Sequence, residues 1–196
     1  MLISAQDIPL EQLGQWLDEA TRAAIREPNA MTLATSGADG APHARVVLLK
    51  GLDARGLVFF TNYESAKGRE LEENRRASAV FFWRDLERQV RVEGSVEKVT
   101  RDETEAYFRT RPRESQVGAW ASPQSRVIES REILERRVVE TNASFGEDAI
   151  PAPPFWGGYR LVPTVIEFWA GRPNRLHDRE RFTRDAGGWR VEQLAP

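Results

Sequence analysis

Ala77-Ser78-Ala79-Val80-Phe81-Phe82-Trp83-Arg84-Asp85-Leu86-Glu87-Arg88-Gln89-Val90-Arg91-Val92-Glu93-Gly94-Ser95-Val96-Glu97-Lys98-Val99 reads as two strands joined by a turn, and that reading sets the fold class. Ala77 to Trp83 is an apolar run of strand length, Arg84-Asp85-Leu86 is a turn, and Glu87 to Val99 is a long return strand. Val90, Val92, Gly94 and Val96 alternate with polar neighbours, a two-residue period that puts them on one face. The same punctuation continues on both sides. Upstream, Met31 to Thr35, the turn Ser36-Gly37-Ala38-Asp39-Gly40, Ala41 to Lys50, a turn over Gly51 to Gly56 and Leu57 to Thr61 follow in order. Downstream, Phe155-Trp156-Gly157-Gly158 reads as a tight aromatic turn. The strands Tyr159 to Val162, Val165 to Trp169, His177 to Arg184 and Trp189 to Leu194 follow, the last two joined by Gly187-Gly188.

Helices are inserted into this pattern rather than alternating with it. Leu10, Leu13, Leu17, Ala20 and Ala24 recur at three- and four-residue steps from Pro9 until Pro28 ends the run. Ser65 caps a short helix to Glu73, and Thr100 with Glu103 forms a capping box for a helix through Arg109. Pro112 opens another, and a last one spans about Ser130 to Phe145 with Ile133, Leu134, Val138 and Phe145 inward; Gln116 to Ala121 is small and apolar. Strands at hairpin spacing with inserted helices make a mainly β, α+β chain. The expected architecture is an antiparallel barrel, not a doubly wound parallel sheet. A length of 196 residues fits one domain over 1–196, with residues 1–8 a loose arm.

Composition excludes several function classes. The net charge of −2, from 28 basic and 30 acidic residues, gives no global field to recruit nucleic acid or an anionic membrane, so any anion site must be local. With no cysteine and 2 histidines, thiolate chemistry and histidine- or thiolate-based metal sites are disfavoured, and no metal is expected. Absent cysteine fits a reducing compartment, and with neither a secretory signal nor a spanning segment in view the expected location is cytoplasmic. Six tryptophans and nine phenylalanines are many for this length, enough to serve a flat ligand or a subunit interface beside the core.

Four places carry chemistry. In Arg175-Leu176-His177-Asp178-Arg179, an extended chain would put Arg175, His177 and Arg179 on one face, suited to an anionic or electron-rich planar ligand, or equally to a solvated edge strand. Val46 to Leu49 is apolar on both faces, as in a central strand, and is flanked by Arg45 and Lys50. Those two cations point to opposite faces, so they suit two different anions or plain snorkelling off the strand ends. Lys67 sits in the first turn of its helix, where a cation opposes the helix dipole unless a phosphate binds; an exposed lysine is the plainer alternative. Tyr107, Arg111 and Ser115, beside the helix start at Pro112, make a phosphate cradle or an ordinary polar corner. Gln89 is apt for the amide-like edge of a heterocycle.

These constellations occur together and in order. Arg45-Val46-Val47-Leu48-Leu49-Lys50, Phe60-Thr61-Asn62, Glu87-Arg88-Gln89-Val90, Arg111-Pro112-Arg113-Glu114-Ser115-Gln116-Val117-Gly118-Ala119-Trp120, Phe155-Trp156-Gly157-Gly158, Ile166-Glu167-Phe168-Trp169 and Arg175-Leu176-His177-Asp178-Arg179 resemble the pyridoxine/pyridoxamine 5′-phosphate oxidases, collinearly from Pro9 to Pro196. The resemblance implies a split β-barrel homodimer with FMN in two clefts at the subunit interface. It implies that Arg45 and Lys67 hold the FMN phosphate. Val46, Val47, Leu48, Leu49, Lys50, Phe60 and Thr61 would line the flavin site, while Gln124 and Ser125 would approach the same phosphate from the other subunit. Gln89, Trp169 and Arg179 would meet the isoalloxazine. Lys50, Tyr107, Arg111 and Ser115 would take the substrate phosphate, with Arg175 and His177 as catalytic residues against the pyridine ring.

The implied reaction is oxidation of pyridoxine and pyridoxamine 5′-phosphates to pyridoxal 5′-phosphate in vitamin B6 metabolism, by hydride transfer to FMN and reoxidation by O₂ to H₂O₂. Two departures stand out. Ala66 replaces an arginine the family commonly carries before the lysine matching Lys67, and Met1 to Ile8 has no match to the family's substrate-covering arm. Weaker FMN retention or a more open site is the expected consequence. A same-fold flavin oxidase of the phenazine type and a non-catalytic flavin or pyridoxal phosphate binder are the alternatives.

Overall fold

The computed structural model describes residues 8–196. Those residues form α1 (Ile8–Arg22), β1 (Ala30–Ser36), β2 (Pro42–Leu48), β3 (Gly51–Asp53), β4 (Gly56–Asn62), α2 (Ala66–Glu73), β5 (Arg76–Trp83), β6 (Arg88–Lys98), α3 (Arg101–Arg109), α4 (Arg113–Ala121), α5 (Arg131–Phe145), β7 (Trp156–Ala170), β8 (Asp178–Asp185) and β9 (Gly188–Gln193).

The hairpin that sets the fold class is β5–β6, turned by a short 3₁₀ segment that Glu87 ends at φ 50°. Its register places Phe81 opposite Val90 and Ala79 opposite Val92, all fully buried, so the alternating face is the core face. Strand order is β2-β1-β5-β6-β7-β4-β3, with β8 on β7 and β9 on β8, all pairs antiparallel. The sheet curls because its two end strands are consecutive in the chain. β2 passes through Leu49 and Lys50 into β3, and the Lys50 N–H donates to the Val58 carbonyl of β4 at 2.8 Å. This is the antiparallel barrel with added helices that the hairpin spacing predicts, in the split form that the resemblance implies. Leu13, Met31, Leu33, Leu57, Phe59, Phe81, Trp83, Leu161 and Ile166 fill it, each such side chain stabilising by about 1.5–3 kcal/mol through burial. A smaller second core of Phe108, Val117, Ile150, Ala152 and Trp156 seats α3 and α4 against the start of β7.

Several sequence expectations are corrected. Phe155-Trp156-Gly157-Gly158 is not a turn: Trp156, Gly157 and Gly158 open β7, opposite Asn62, Thr61 and Phe60. The glycines answer to crowding, since a Cβ on Gly157 would lie 2.1 Å from the Tyr63 Oη and one on Gly158 2.7 Å from Val99. The two strands expected over 159–169 are one strand through Pro163, which has no N–H to give and sits at a register shift opposite Glu93 and Gly94. The turn expected over Gly51 to Gly56 holds the short strand β3, which brings the strand count to nine, and Gln116 to Ala121 lies in α4. α1 stops at Arg22, ahead of Pro28, with Ala24 at φ 54°. β2, expected to be central, is an edge strand, and Val46 on it is 66% exposed. Arg175 is not in a strand: Pro173–Arg175 is a 3₁₀ turn with Asn174 and Arg175 at φ 59° and 62°, so β8 starts only at Asp178. The expectation of a loose arm falls mostly on residues 1–7, outside the described residues, while Ile8 already begins α1. No described helix is long and apolar enough to cross a membrane.

One buried charge ties the barrel's later strands together. The Glu167 carboxylate, 4% exposed, accepts from Arg179 Nε at 2.9 Å on one oxygen and from Arg91 Nη2 at 2.8 Å on the other. Removing it leaves the half-buried Arg179 guanidinium without its carboxylate and Arg91 with Glu93 alone, 3.1 Å from its Nε. Glu167→Ala should therefore lower unfolding free energy by about 2 kcal/mol, the low end for a broken buried pair because both arginines reach solvent. A urea midpoint unchanged from the parent protein would refute that weight for the pair.

Candidate active site

β2, β4, α2, α3 and α4 enclose an open cleft of about 780 Å³. At one end stands Lys67, in the first turn of α2, which Ser65 caps by accepting the Gly68 N–H at 3.3 Å. The residue is only 8% exposed, and its ammonium donates to the Thr61 hydroxyl at 3.2 Å. Among the described residues no carboxylate lies within ion-pair range of it. Burial pulls its pKa below the ordinary lysine value, and the neighbouring Arg45 pulls the same way, with Glu70 opposing. Thr61 passes the polar chain on, donating to the Gln124 side-chain oxygen at 3.1 Å. A buried ammonium whose nearest partner is a neutral hydroxyl is arranged for an anion from outside the chain.

Arg45 stands beside that lysine but is engaged elsewhere. Its guanidinium donates to the Thr35 hydroxyl and pairs with Glu70 at 3.1 Å, while His43 Nδ1 lies 3.1 Å from the other Glu70 oxygen. Glu70 is desolvated, yet the hydrogen bonds from Thr35 and Arg45 outweigh that and hold its carboxyl below the usual range. Arg45 is thus a neighbour of the cleft rather than part of its lining. Val46, Val47, Leu48 and Lys50 do line it, whereas Leu49 points into the core.

At the other end, α3 stops at Arg109 and α4 starts after Pro112, so the linking residues face the cleft. Tyr107, Arg111 and Ser115 all line it. Arg111 Nη1 is buried without a hydrogen-bond partner among the described residues, and burial draws the group's pKa down, with Tyr107 opposing. Its guanidinium lies over Trp156, 4.7 Å from the ring centroid. Phe60 stacks on Tyr107 at 4.0 Å and 20°, and on Trp156 at 5.5 Å and 15°, giving the cleft a flat aromatic wall.

The remaining expected residues gather elsewhere. Gln89, Trp169 and Arg179 are cross-strand neighbours on β6, β7 and β8, and His177 lies 4.6 Å from the Trp169 ring. His177 Nδ1 accepts the Arg172 N–H at 3.1 Å, and Arg179 is bonded to Glu167 and to the Ala195 carbonyl. Arg175 is exposed on its turn. Trp156 and Trp169 bracket thirteen residue steps of β7, roughly 40 Å of strand. None of Gln89, Trp169, Arg175, His177 and Arg179 lines the cleft described above. Gln124, expected to arrive from a second subunit, bonds Thr61 of its own chain, and Ser125 is exposed at φ 67° outside the lining. Sequence reading missed Trp156 as a wall residue; its signal was a tryptophan followed by two glycines at the head of an apolar strand. Thr35 and Glu70, which hold Arg45, carried no signal.

The chain is similar to known proteins over nearly its whole length. A family model described as pyridoxamine 5′-phosphate oxidase matches residues 17–145, and one described as pyridoxine 5′-phosphate oxidase C-terminal dimerisation region matches residues 156–196. The pyridoxine/pyridoxamine 5′-phosphate oxidase of Cupriavidus necator is 60% identical over 189 residues, covering 96% of this chain and 89% of that protein. That of Salinibacter ruber is 58% identical over 193 residues, covering 97% and 90%. PhzG from Burkholderia lata, solved with tetrahydrophenazine-1-carboxylic acid, superposes with a TM-score of 0.92 at 36% identity, over 100% of this chain and 98% of that one. An FMN-binding protein from Nostoc punctiforme, related to pyridoxamine 5′-phosphate oxidase, shares the fold at a TM-score of 0.78 and 17% identity, over 100% of both chains.

Proposed function

The chain belongs to the pyridoxamine 5′-phosphate oxidase family, and on that premise we propose that it oxidises pyridoxine 5′-phosphate and pyridoxamine 5′-phosphate to pyridoxal 5′-phosphate with bound FMN, O₂ being reduced to H₂O₂ and, for the amine, water entering and ammonia leaving. The observation that carries this reading is the pair of unmatched cations in one cleft: Lys67, buried beside a hydroxyl, and Arg111, with Nη1 buried and bare. Two anionic groups, one on a cofactor and one on a substrate, satisfy both. The aromatic wall between them suits flat heterocycles.

The residues fit FMN. Lys67 and Thr61 would hold its phosphate near the capped start of α2, with Arg45 adding positive potential from behind Glu70. FMN, when bound, supplies the two-electron acceptor chemistry and the route to O₂. The chain supplies position. Lys50, Tyr107, Arg111 and Ser115 would anchor the substrate phosphate and fix the ring, which converts encounter into a held geometry. The other half-site, with Gln89, Trp169, Arg175, His177 and Arg179, would come from a second copy of the chain. Residues 156–196, which carry four of those five, match a dimerisation region, and Val46 on the cleft rim is exposed. Because His177 Nδ1 accepts the Arg172 N–H, a neutral His177 carries its proton on Nε2 and offers it as a donor to a ring substituent. Arg175, exposed and without an ion pair among the described residues, would meet a phenolate oxygen.

The likeness to PhzG supports a second reading, a flavin oxidase acting on a reduced phenazine carboxylate. Identity is lower there than to the vitamer oxidases, and the phosphate-directed set Lys50, Tyr107, Arg111 and Ser115 lines the cleft intact. An aerobic assay with pyridoxine 5′-phosphate decides: aldehyde and H₂O₂ should appear one for one. A bound flavin that neither phosphorylated vitamer bleaches anaerobically would sink the proposal in favour of the phenazine-type or non-catalytic reading.

A further inference from the structure

Arg111 lies between two helices and, among the described residues, makes no ion pair that would fix its orientation. What it has is aromatic support, the Trp156 ring centroid 4.7 Å from the guanidinium carbon and the Phe108 centroid farther off at 5.4 Å. That ring is itself held. Trp156 is the first residue of β7, opposite Asn62, and its N–H donates to the Pro153 carbonyl at 3.1 Å. Phe108 meets the indole edge-on at 5.0 Å and 70°, and Phe60 lies nearly parallel at 5.5 Å and 15°. A guanidinium carried over aromatic rings keeps N–H groups free for a ligand, and here Nη1 is buried with no hydrogen-bond partner among the described residues.

We infer that Trp156 is a positioning residue. It sets the plane of Arg111 so that Nη1 points at the ligand phosphate, and through Arg111 it makes the site selective for phosphorylated over unphosphorylated ligands. The inference rests on the proposed role of Arg111 as a phosphate-binding group. A leucine would bury similar apolar surface but offer no plane, whereas phenylalanine keeps a smaller one.

The test is equilibrium binding of pyridoxal 5′-phosphate and of pyridoxal to the FMN-loaded protein, in Trp156→Leu, Trp156→Phe, Arg111→Ala and the Arg111→Ala/Trp156→Leu double variant. Trp156→Leu should cut the preference for the phosphorylated ligand roughly tenfold, and Trp156→Phe roughly threefold. On the Arg111→Ala background the tryptophan change should cost almost nothing more, since its effect runs through the arginine. If Trp156→Leu fails to fold by circular dichroism, the same cycle with Trp156→Phe carries the test. Equal weakening toward both ligands, or additive losses in the double variant, overturns the positioning role while leaving Arg111 as a phosphate group. An Arg111→Ala variant with unchanged preference instead overturns the reading of Arg111, and this inference with it.

Discussion

Lys67→Met is expected to weaken FMN binding about a hundredfold and, at the same time, to make the flavin-free protein more resistant to heat. The two effects have one cause. The ammonium is buried, with the Thr61 hydroxyl as its partner, so folding without flavin removes a charge from water and returns one hydrogen bond to a neutral acceptor. Methionine fills similar volume without that cost. With flavin bound, a phosphate takes the ammonium as a charge-assisted partner, worth about 1.5–3 kcal/mol, the upper end of which is a hundredfold in affinity. The pH dependence follows in sign. Burial lowers the folded-state pKa of Lys67 below the value of 10.5 it has when unfolded. Between those two values the unfolded chain binds more protons. Flavin-free stability therefore rises as pH climbs from the folded pKa toward 10.5, and it is lowest where Lys67 is fully charged. Lys67→Met should flatten that slope. Fluorescence titration with FMN and melting curves with and without it measure both halves. An unchanged dissociation constant would remove Lys67 from the phosphate site, and a lower melting temperature for flavin-free Lys67→Met would mean the ammonium was already satisfied.

That trade-off clarifies what was legible in the sequence. Lys67 in the first turn of a helix looked like an ordinary exposed lysine or a phosphate ligand, and helix position alone could not choose. Tertiary burial excludes the exposed lysine: α2 lies against β1, and Lys67 is buried there. Strands were legible wherever one face is core, as in β6, because a two-residue period survives any tertiary context. They were misread where that period is hidden. Gly157 and Gly158 look like turn residues, but they are strand residues beneath Tyr63 and Phe60, and the difference lies in residues almost a hundred positions away. Val46 to Leu49 looked central because it is apolar on both faces. In one chain it is an edge, with Leu49 in the core and Val46 on the cleft rim.

The site was legible by residue type and not by grouping. Every cation that matters was visible, but whether Arg45 faces the ligand or Glu70 depends on a carboxylate one turn beyond Lys67 that no motif marks. Likewise the extended face expected for Arg175, His177 and Arg179 failed at Asn174 and Arg175, where the left-handed backbone breaks the alternation. What survives is the pairing of Trp169 with Arg179 and of Gln89 with Trp169, both fixed by strand register. The split of the candidate residues between two ends of β7 is itself a functional statement. On the proposed reading, a chain with half of a flavin site at each end of a 15-residue strand would need a second copy to complete either.

The second large effect is expected at Arg111. Arg111→Ala should lower kcat/KM for pyridoxine 5′-phosphate by roughly a hundred- to a thousandfold, about 3–4 kcal/mol, most of it in KM. The loss falls on KM because a phosphate anchor grips substrate and transition state alike, and uniform binding does not change kcat. Unphosphorylated pyridoxine, turned over slowly if at all, should lose far less, since it never engages the guanidinium. Arg111→Lys should recover only part of the activity: a lysine restores the charge but neither the forked donor geometry nor the stacking on Trp156. Stability argues in the opposite direction. Nη1 is buried and unpartnered in the ligand-free chain, so deleting the guanidinium relieves an unsatisfied donor even as it opens space beside Trp156. Melting temperatures of Arg111→Ala and the parent protein should therefore lie within a few degrees of each other. Steady-state kinetics with both vitamers separates the cases. A fall of equal size for the phosphorylated and unphosphorylated substrates would mean that Arg111 shapes the cleft rather than reading the phosphate, and the anion site would then have to be sought around Lys50 and Ser115.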